Sequence, residues 1–249
     1  MIQPINLHIT SIKEINLLLT MGYKLNLPVV EAVDFMKNNF ANLDLGLLAH
    51  ISEEALAKLN TQCNMVRSII MEAGEEQELI FELRNEDYDE PLTGLCIKRT
   101  FSRRDDELLV SHDVLTIPEA HRAQGLARSI FKTWIQQYVN AGVQKIKVST
   151  GFSDGGYVWA RNFFTADKRS QMDLILKKAK DNLGERHFSA VQTIYTFYYS
   201  EFPNGDAFPI AEWAALPFMK PILRHTFWDG TMDFNNSEQF GNFIKYIFN

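Results

Sequence analysis

Three residues, Arg122, Gly125 and Ala127, have the types and spacing of a phosphate-binding loop. They lie between "LLVSHDVLTIPEAH", which alternates like a strand, and "RSIFKTWIQQYV", which has helical periodicity. The first turn of a helix has unpaired backbone N–H groups and partial positive charge, so it can bind a phosphate. Glycine and alanine let the phosphate approach, and arginine adds charge. The sequence therefore predicts a phosphate site here, with a plain tight turn as the alternative.

In this context the corner resembles the pyrophosphate-binding motif of the GNAT acyltransferase superfamily. That motif is Arg or Gln, two residues, Gly, one residue, then Gly or Ala, and "IPEAHRAQGLARSIF" matches it in full. The resemblance covers about residues 76 to 164. It implies acetyl-CoA or another acyl-CoA as cosubstrate, with the pantetheine arm on the backbone near Thr116 and Ile117. It places the pyrophosphate on the residues of the loop, which are Arg122, Ala123, Gln124, Gly125, Leu126 and Ala127.

Acyl transfer to an amine also needs a base, because the amine is protonated at neutral pH. Asp113 and His112 are the ionisable candidates on the strand before the loop. In regular alternation Asp113 shares a face with Leu115 and Ile117. A bulge, which is usual in GNAT proteins, would shift the alternation and bring His112 to that face instead. The alternative for both residues is a solvated strand edge.

The GNAT resemblance further implies a tyrosine that protonates the departing thiolate. Aligning Phe164 with the final aromatic residue of the family's pattern puts Trp159 at the tyrosine's position, and an indole cannot deliver a proton at neutral pH. Tyr157 substitutes only if the helix begins later, which Gly155 and Gly156 would permit. The alternative is that Tyr157 and Trp159 are both core residues.

The elements that must position these residues begin with a helical segment over residues 1 to 75. Ser11 and Glu14 form a capping box before helically spaced apolar residues. A longer helical pattern has Ser52 as its cap and Gly74 as its stop. We expect this segment to be an N-terminal helical extension.

Residues 76 to 164 alternate strand and helix patterns, and residues 165 to 249 are mainly helical, with an aromatic tail. Three strand patterns separated by turn residues predict an antiparallel meander, followed by a helix from about Gly125 to Asn140, a strand and a further helix. The predicted fold is α/β (α+β) and GNAT-like: a mixed, mainly antiparallel sheet flanked by helices, with helical extensions at both ends of one continuous domain. Aromatic and acidic residues at 203 to 234 fit either a cleft for a cationic amine or an apolar lid.

The composition excludes several classes of protein. Hydrophobic residues make up 46% and charged residues 22%, as in folded globular proteins. The net charge of −6 argues against a nucleic-acid partner, and no apolar stretch long enough to span a bilayer is present. Cys63 and Cys96 form no CxxC pair, the histidines form no HExxH motif, and no signal peptide opens the chain. We therefore expect a cytoplasmic protein without a metal and without membrane contact.

Together these observations predict an acyl-CoA-dependent N-acyltransferase. Acetyl transfer by direct attack of an amine is the simplest reaction, and the acceptor is an amine-bearing small molecule or protein. The first alternative is a noncatalytic interaction module of the same fold, which Trp159 at the acid position favours. The second alternative, motivated by the unusual extensions, is a secreted effector. The sequence does not set the acceptor, the acyl length or the oligomeric state.

Overall fold

The structure is a computed structural model that describes residues 10–58, 64–86, 94–122, 125–151, 154–205 and 207–248. The chain divides into two compact units, Met1–Gln144 and Lys145–Asn249. Each unit combines helices with strands, so the predicted α/β class is confirmed. Among the described ranges, no helix combines the length and the apolar character needed to cross a membrane.

The strands of the first unit follow one another in sheet order. They are β1 (Lys24–Leu25), β2 (Met65–Ala73), β3 (Gln77–Asn85), β4 (Cys96–Arg104) and β5 (Glu107–Thr116). β1 pairs with β2 in parallel, and the other neighbours are antiparallel, so the pairing is mixed and mainly antiparallel. The predicted meander is confirmed as β3, β4 and β5.

The β2 strand corrects the prediction of a mainly helical N-terminal segment. The residues expected to continue a helix as far as Gly74 instead pair with β3 along all of β2, from Met65 opposite Asn85 to Ala73 opposite Gln77. Ile69 and Met71 of β2 are buried two residues apart, which is the period of a strand. The helix prediction was wrong because a short apolar run fits both periods, and the partner strand decides between them.

The helices of the first unit lie before and after its meander. They are α1 (Ile12–Thr20), α2 (Val29–Asn39), α3 (Leu45–Lys58) and α4 (Leu126–Ala141). The predicted N-cap of α1 is confirmed, since the backbone N–H of Glu14 donates to Ser11 Oγ at 3.2 Å. Ser52 does not cap a helix, because it lies inside α3 and its hydroxyl donates to the carbonyl of Leu48.

Aromatic side chains pack α4 against the meander. Trp134 is only 1% exposed, and its ring meets Phe81 edge to face at 5.2 Å and stacks on Phe101 at 6.5 Å. Tyr138, one turn later, meets Phe101 edge to face at 5.7 Å. These buried contacts fix α4 on one face of β3, β4 and β5, and therefore also fix the corner where α4 begins.

The second unit contains three strands and six α-helices among its described residues. β8 (Asp229–Asp233) pairs antiparallel with both β6 (Lys145–Ser149) and β7 (Thr165–Ala166). The helices are α5 (Gly155–Arg161), α6 (Arg169–Asn182), α7 (Glu185–Glu201), α8 (Ala211–Ala214), α9 (Lys220–Leu223) and α10 (Ser237–Phe248). The helices predicted after residue 168 are confirmed, whereas β8 was not predicted.

Three large aromatic residues of the tail lie in the core of this second unit, whereas Phe227 is 71% exposed. Phe208, Trp213 and Trp228 are each at most 1% exposed, and the rings of Phe208 and Trp213 lie 4.7 Å apart. Buried rings cannot present a face to a cationic substrate. The apolar interpretation of these residues therefore applies rather than the amine cleft.

Candidate functional site

The corner between β5 and α4 has the predicted sequence of elements. β5 ends at Thr116, a short 3-10 turn covers Glu119–His121, and α4 begins at Leu126. Gly125 is the N-cap residue of α4. Ala123 and Gln124, both predicted to bind pyrophosphate, lie outside the described residues.

Gly125 has a backbone conformation that disfavours any side chain. Its φ is 77°, in the left-handed region, which costs other L-residues about 1–2 kcal/mol. Apart from its neighbours in the chain, no described residue has an atom within 4 Å of the position a Cβ would take. Among the described residues, glycine is therefore favoured by the backbone angle and not by a crowded neighbour. Gly142, at the opposite end of α4, has the same features, with φ 76°.

The other predicted cosubstrate residues tie the loop to the strand. The Nε of Arg122 donates to the carbonyl of Ile117 at 2.9 Å, and Thr116 Oγ1 donates to the carbonyl of Gly94 at 3.1 Å. Leu126 is 8% exposed, so it can offer a ligand its backbone N–H but little of its side chain. Ala127 is half-buried.

A β-bulge lies at the two candidate bases. Lys98 pairs with Val114, and Thr100 pairs with Ser111, so the single residue Arg99 of β4 stands opposite both His112 and Asp113. Such a two-for-one pairing interrupts the alternation of faces. Residues 108, 110 and 112 are buried before the bulge, and Leu115, the partner of Ile97, continues on the same face after it.

His112 lies on the face of β5 that α4 covers. It is 4% exposed, its Nε2 is 2.9 Å from the Tyr138 hydroxyl, and its ring lies 5.2 Å from that of Phe131. Burial, and secondarily the positive charge of Arg99, lower the pKa of His112 well below its usual 6.5. The imidazole is therefore neutral at physiological pH.

This neutral histidine makes the stability depend on pH. Below about pH 6.5 the unfolded chain binds a proton at His112 that the folded chain does not bind, so the free energy of unfolding falls as the pH is lowered. The expected slope is at most about 1.4 kcal/mol per pH unit from this residue. Urea unfolding at pH 7.5, 6.5 and 5.5 measures it in the unmodified chain and in His112→Gln, which does not titrate. Identical pH dependence of the two chains would contradict the buried neutral state.

Asp113, the other residue of the bulge, points to the opposite face and is exposed. The expectation that Asp113 shares a face with Leu115 is therefore wrong, because the bulge places His112 on that face, as the alternative anticipated. Its Oδ2 accepts a hydrogen bond from Thr100 Oγ1 at 2.8 Å. Loss of hydration raises the pKa of Asp113 above its usual value, and the Thr100 hydrogen bond and the charges of Arg99 and Lys98 oppose this rise. A reachable carboxylate with a raised pKa suits a general base.

Arg99 is a buried cation that the sequence analysis did not single out. It is 2% exposed, and its Nη1 donates to the carbonyls of Lys98 at 2.7 Å and Val114 at 2.6 Å. The guanidinium lies 5.8 Å from the ring centre of Trp134, and its charge interacts with the Tyr138 hydroxyl. The sequence "IKRTF" gives no sign of this burial, because an arginine beside a lysine normally faces solvent.

In the second unit, Tyr157 lies within α5, which begins at Gly155. Tyr157 could replace the acid of the GNAT family only if the helix began later, and this later start is not observed. The ring of Tyr157 has Lys220 Nζ at 5.6 Å and the guanidinium of Arg161 at 5.8 Å. Trp159 contacts Phe164 edge to face at 4.9 Å. The role of Tyr157 as an acid stays a prediction.

Neither a search for metal ligands nor a comparison with known proteins adds a residue to the candidate site. In the part of the chain that the structure describes, no three His, Cys, Asp or Glu side chains form a group that could hold a metal ion. No family model matches the chain, and no curated protein or solved structure matches it significantly.

Proposed function

We propose that this protein is an acyl-CoA-dependent N-acyltransferase that transfers an acetyl group from acetyl-CoA to an amine by direct attack, in a GNAT-like arrangement. The observation that carries the proposal is the corner at Gly125, where a glycine with positive φ caps the N-terminus of α4 directly after β5 and its short turn. The motif "RAQGLA" supplies this corner with the residue types that resemble the family's loop.

The diphosphate of the cosubstrate would bind at the first turn of α4. The backbone N–H groups of Leu126 and Ala127 belong to this turn, where the helix dipole favours negative charge. Arg122 adds a positive charge, and its bond to Ile117 holds the loop against the end of β5. The chain thus offers main-chain donors and one guanidinium to the anion.

Asp113 is the better candidate for the base, because a base must be within reach of the amine. The exposed carboxylate takes a proton from the substrate ammonium, and the free amine nitrogen attacks the thioester carbonyl. The C–N bond forms as the C–S bond breaks, and the second proton of the attacking nitrogen passes through water to the departing thiolate, which leaves a neutral amide and a thiol. His112 lies beneath α4 and is too buried to meet a substrate directly.

Calorimetric titration of the full chain with acetyl-CoA tests this function, and saturable binding is the expected result. The matched probe is the acetyl thioester of N-acetylcysteamine, which carries the reactive group without the diphosphate and should bind at least tenfold more weakly. Binding should also raise the unfolding temperature, since a ligand at 100 times its Kd adds about 2.7 kcal/mol. A folded chain that shows neither heat nor stabilisation at millimolar acetyl-CoA would contradict the proposal.

A noncatalytic acyl-CoA-binding module is the second candidate. It is favoured by Trp159 at the position of the family's acid and by the start of α5 at Gly155, which leaves Tyr157 inside the helix. Mass spectrometry of a panel of primary amines, incubated with the chain and acetyl-CoA, separates the two candidates. Acetylated amine supports the enzyme, whereas binding of acetyl-CoA without any product supports the module.

A further inference from the structure

We propose that Arg99 is the positioning residue of this site: its guanidinium holds the bulge that keeps His112 beneath α4 and presents Asp113 on the accessible face. The catalytic part of this inference rests on the proposed function. The structural part does not, because the bulge and its contacts are features of the first unit itself.

Arg99 occupies the bulge in the pairing of β4 with β5. A bulge breaks the regular ladder of backbone hydrogen bonds at the residue that faces two others. Arg99 is that residue, and its Nη1 joins the carbonyls of Lys98 and Val114, the pair next to the bulge. One nitrogen therefore links β4 to β5 at the point where the ladder is interrupted.

Burying the charge of Arg99 costs free energy. Among the described residues, no carboxylate forms an ion pair with Arg99, although the side chain is 2% exposed. An apolar side chain of similar length would fill the same space without the desolvation penalty. Such a side chain could not donate to the two carbonyls. The buried arginine thus differs from an apolar residue in the hydrogen bonds that it donates at the bulge.

Arg99 affects both residues that stand opposite it in the bulge. The charge of Arg99 interacts with the Tyr138 hydroxyl, and that hydroxyl is hydrogen-bonded to His112 Nε2, so the guanidinium lies beside the contact that holds the buried histidine. The same charge lowers the pKa of Asp113 and opposes the rise that burial causes, as do Lys98 and the hydrogen bond from Thr100. Arg99 therefore influences the orientation of one residue and the ionisation of the other.

Three variants of the full chain test the proposal. Arg99→Gln removes the charge, and Arg99→Lys keeps a cation whose nitrogen can donate to both carbonyls. The matched control is Arg103→Gln on the same strand, since Arg103 also donates to a backbone carbonyl, that of Asn39, but lies away from the bulge. The measurements are the NMR titration of the Asp113 carboxyl group, amide hydrogen exchange at His112 and Asp113, and the kinetics of acetyl transfer.

For Arg99→Gln we expect the Asp113 titration to move to higher pH, because an attractive cation is lost, and amide exchange at the bulge to become faster. We expect kcat to fall about 100-fold through misplacement of the base, with KM for acetyl-CoA within about threefold. Arg99→Lys should restore the titration and most of kcat, and Arg103→Gln should leave both unchanged. A purely structural role would lower stability without moving the Asp113 titration.

The proposal is overturned if folded Arg99→Gln shows the unmodified titration and exchange. If that variant does not fold, Arg99→Lys decides: an unmodified titration and exchange support the proposal, and a loss of both overturns it. If the unmodified chain transfers no acetyl group, the proposed function fails. The titration and exchange measurements still test the hold of Arg99 on the bulge, so the two failures can be told apart.

Discussion

Gly125→Trp will abolish acetyl-CoA binding, whereas Gly142→Trp will leave it intact. The two glycines lie at opposite ends of α4, with φ of 77° and 76°, and apart from chain neighbours no described atom lies within 4 Å of either Cβ position. Both substitutions therefore impose a similar backbone strain of about 1–2 kcal/mol. Only the indole at Gly125 stands in front of the first-turn N–H groups, where the diphosphate must dock.

Calorimetric titration with acetyl-CoA measures the affinity of both variants, and urea unfolding checks that they lose similar stability. An affinity reduced at least 100-fold in Gly125→Trp alone is the expected result. If both variants bind acetyl-CoA as tightly as the unmodified chain, the ligand binds elsewhere. If both variants lose affinity to the same extent, the cause is a general loss of folding.

Asp113→Asn will lower kcat for acetyl transfer about 100- to 10,000-fold, which is the usual contribution of a general base. The amide has nearly the same shape and can still accept the hydrogen bond from Thr100 Oγ1, but it cannot take a proton from the amine. The affinity for acetyl-CoA should remain unchanged, because the loop at Gly125 is untouched. Steady-state kinetics with any amine found to be acetylated provides the measurement.

The control for this prediction is Asp106→Asn, the same change in the exposed turn between β4 and β5. It should leave kcat within about twofold, as expected for a residue remote from the reacting atoms. If Asp113→Asn stays active and His112→Gln does not, the base is His112, and the buried histidine must become accessible during the reaction.

Much of the fold around the site could be predicted from local sequence patterns. The alternation in "QELIFELRNE" and "DELLVSHDVLTI" predicts β3 and β5, because each strand has one buried face. The start of α4 next to Gly125 and the cap at Ser11 follow from residue types that favour particular backbone angles. Such features depend on neighbours within a few residues, which the sequence displays directly.

The remaining features depend on partners that are distant in sequence. β2 is a strand because β3 lies beside it, and "VRSIIMEA" alone fits a helix equally well. The position of the bulge depends on the register between β4 and β5, which a single strand does not contain. The burial of Arg99 follows from that register, since the residue meets the bulge only when Lys98 pairs with Val114.

Because of the bulge, β5 has one residue more than its pairing with β4 requires. Deleting Asp113 would leave Arg99 opposite His112 alone and would turn β5 into a plain alternating strand, with Leu115 still on the face that α4 covers. Every other side chain would keep its side of the sheet. The architecture could thus be assembled with one amino acid fewer, and the supernumerary residue is the one that carries the exposed carboxylate.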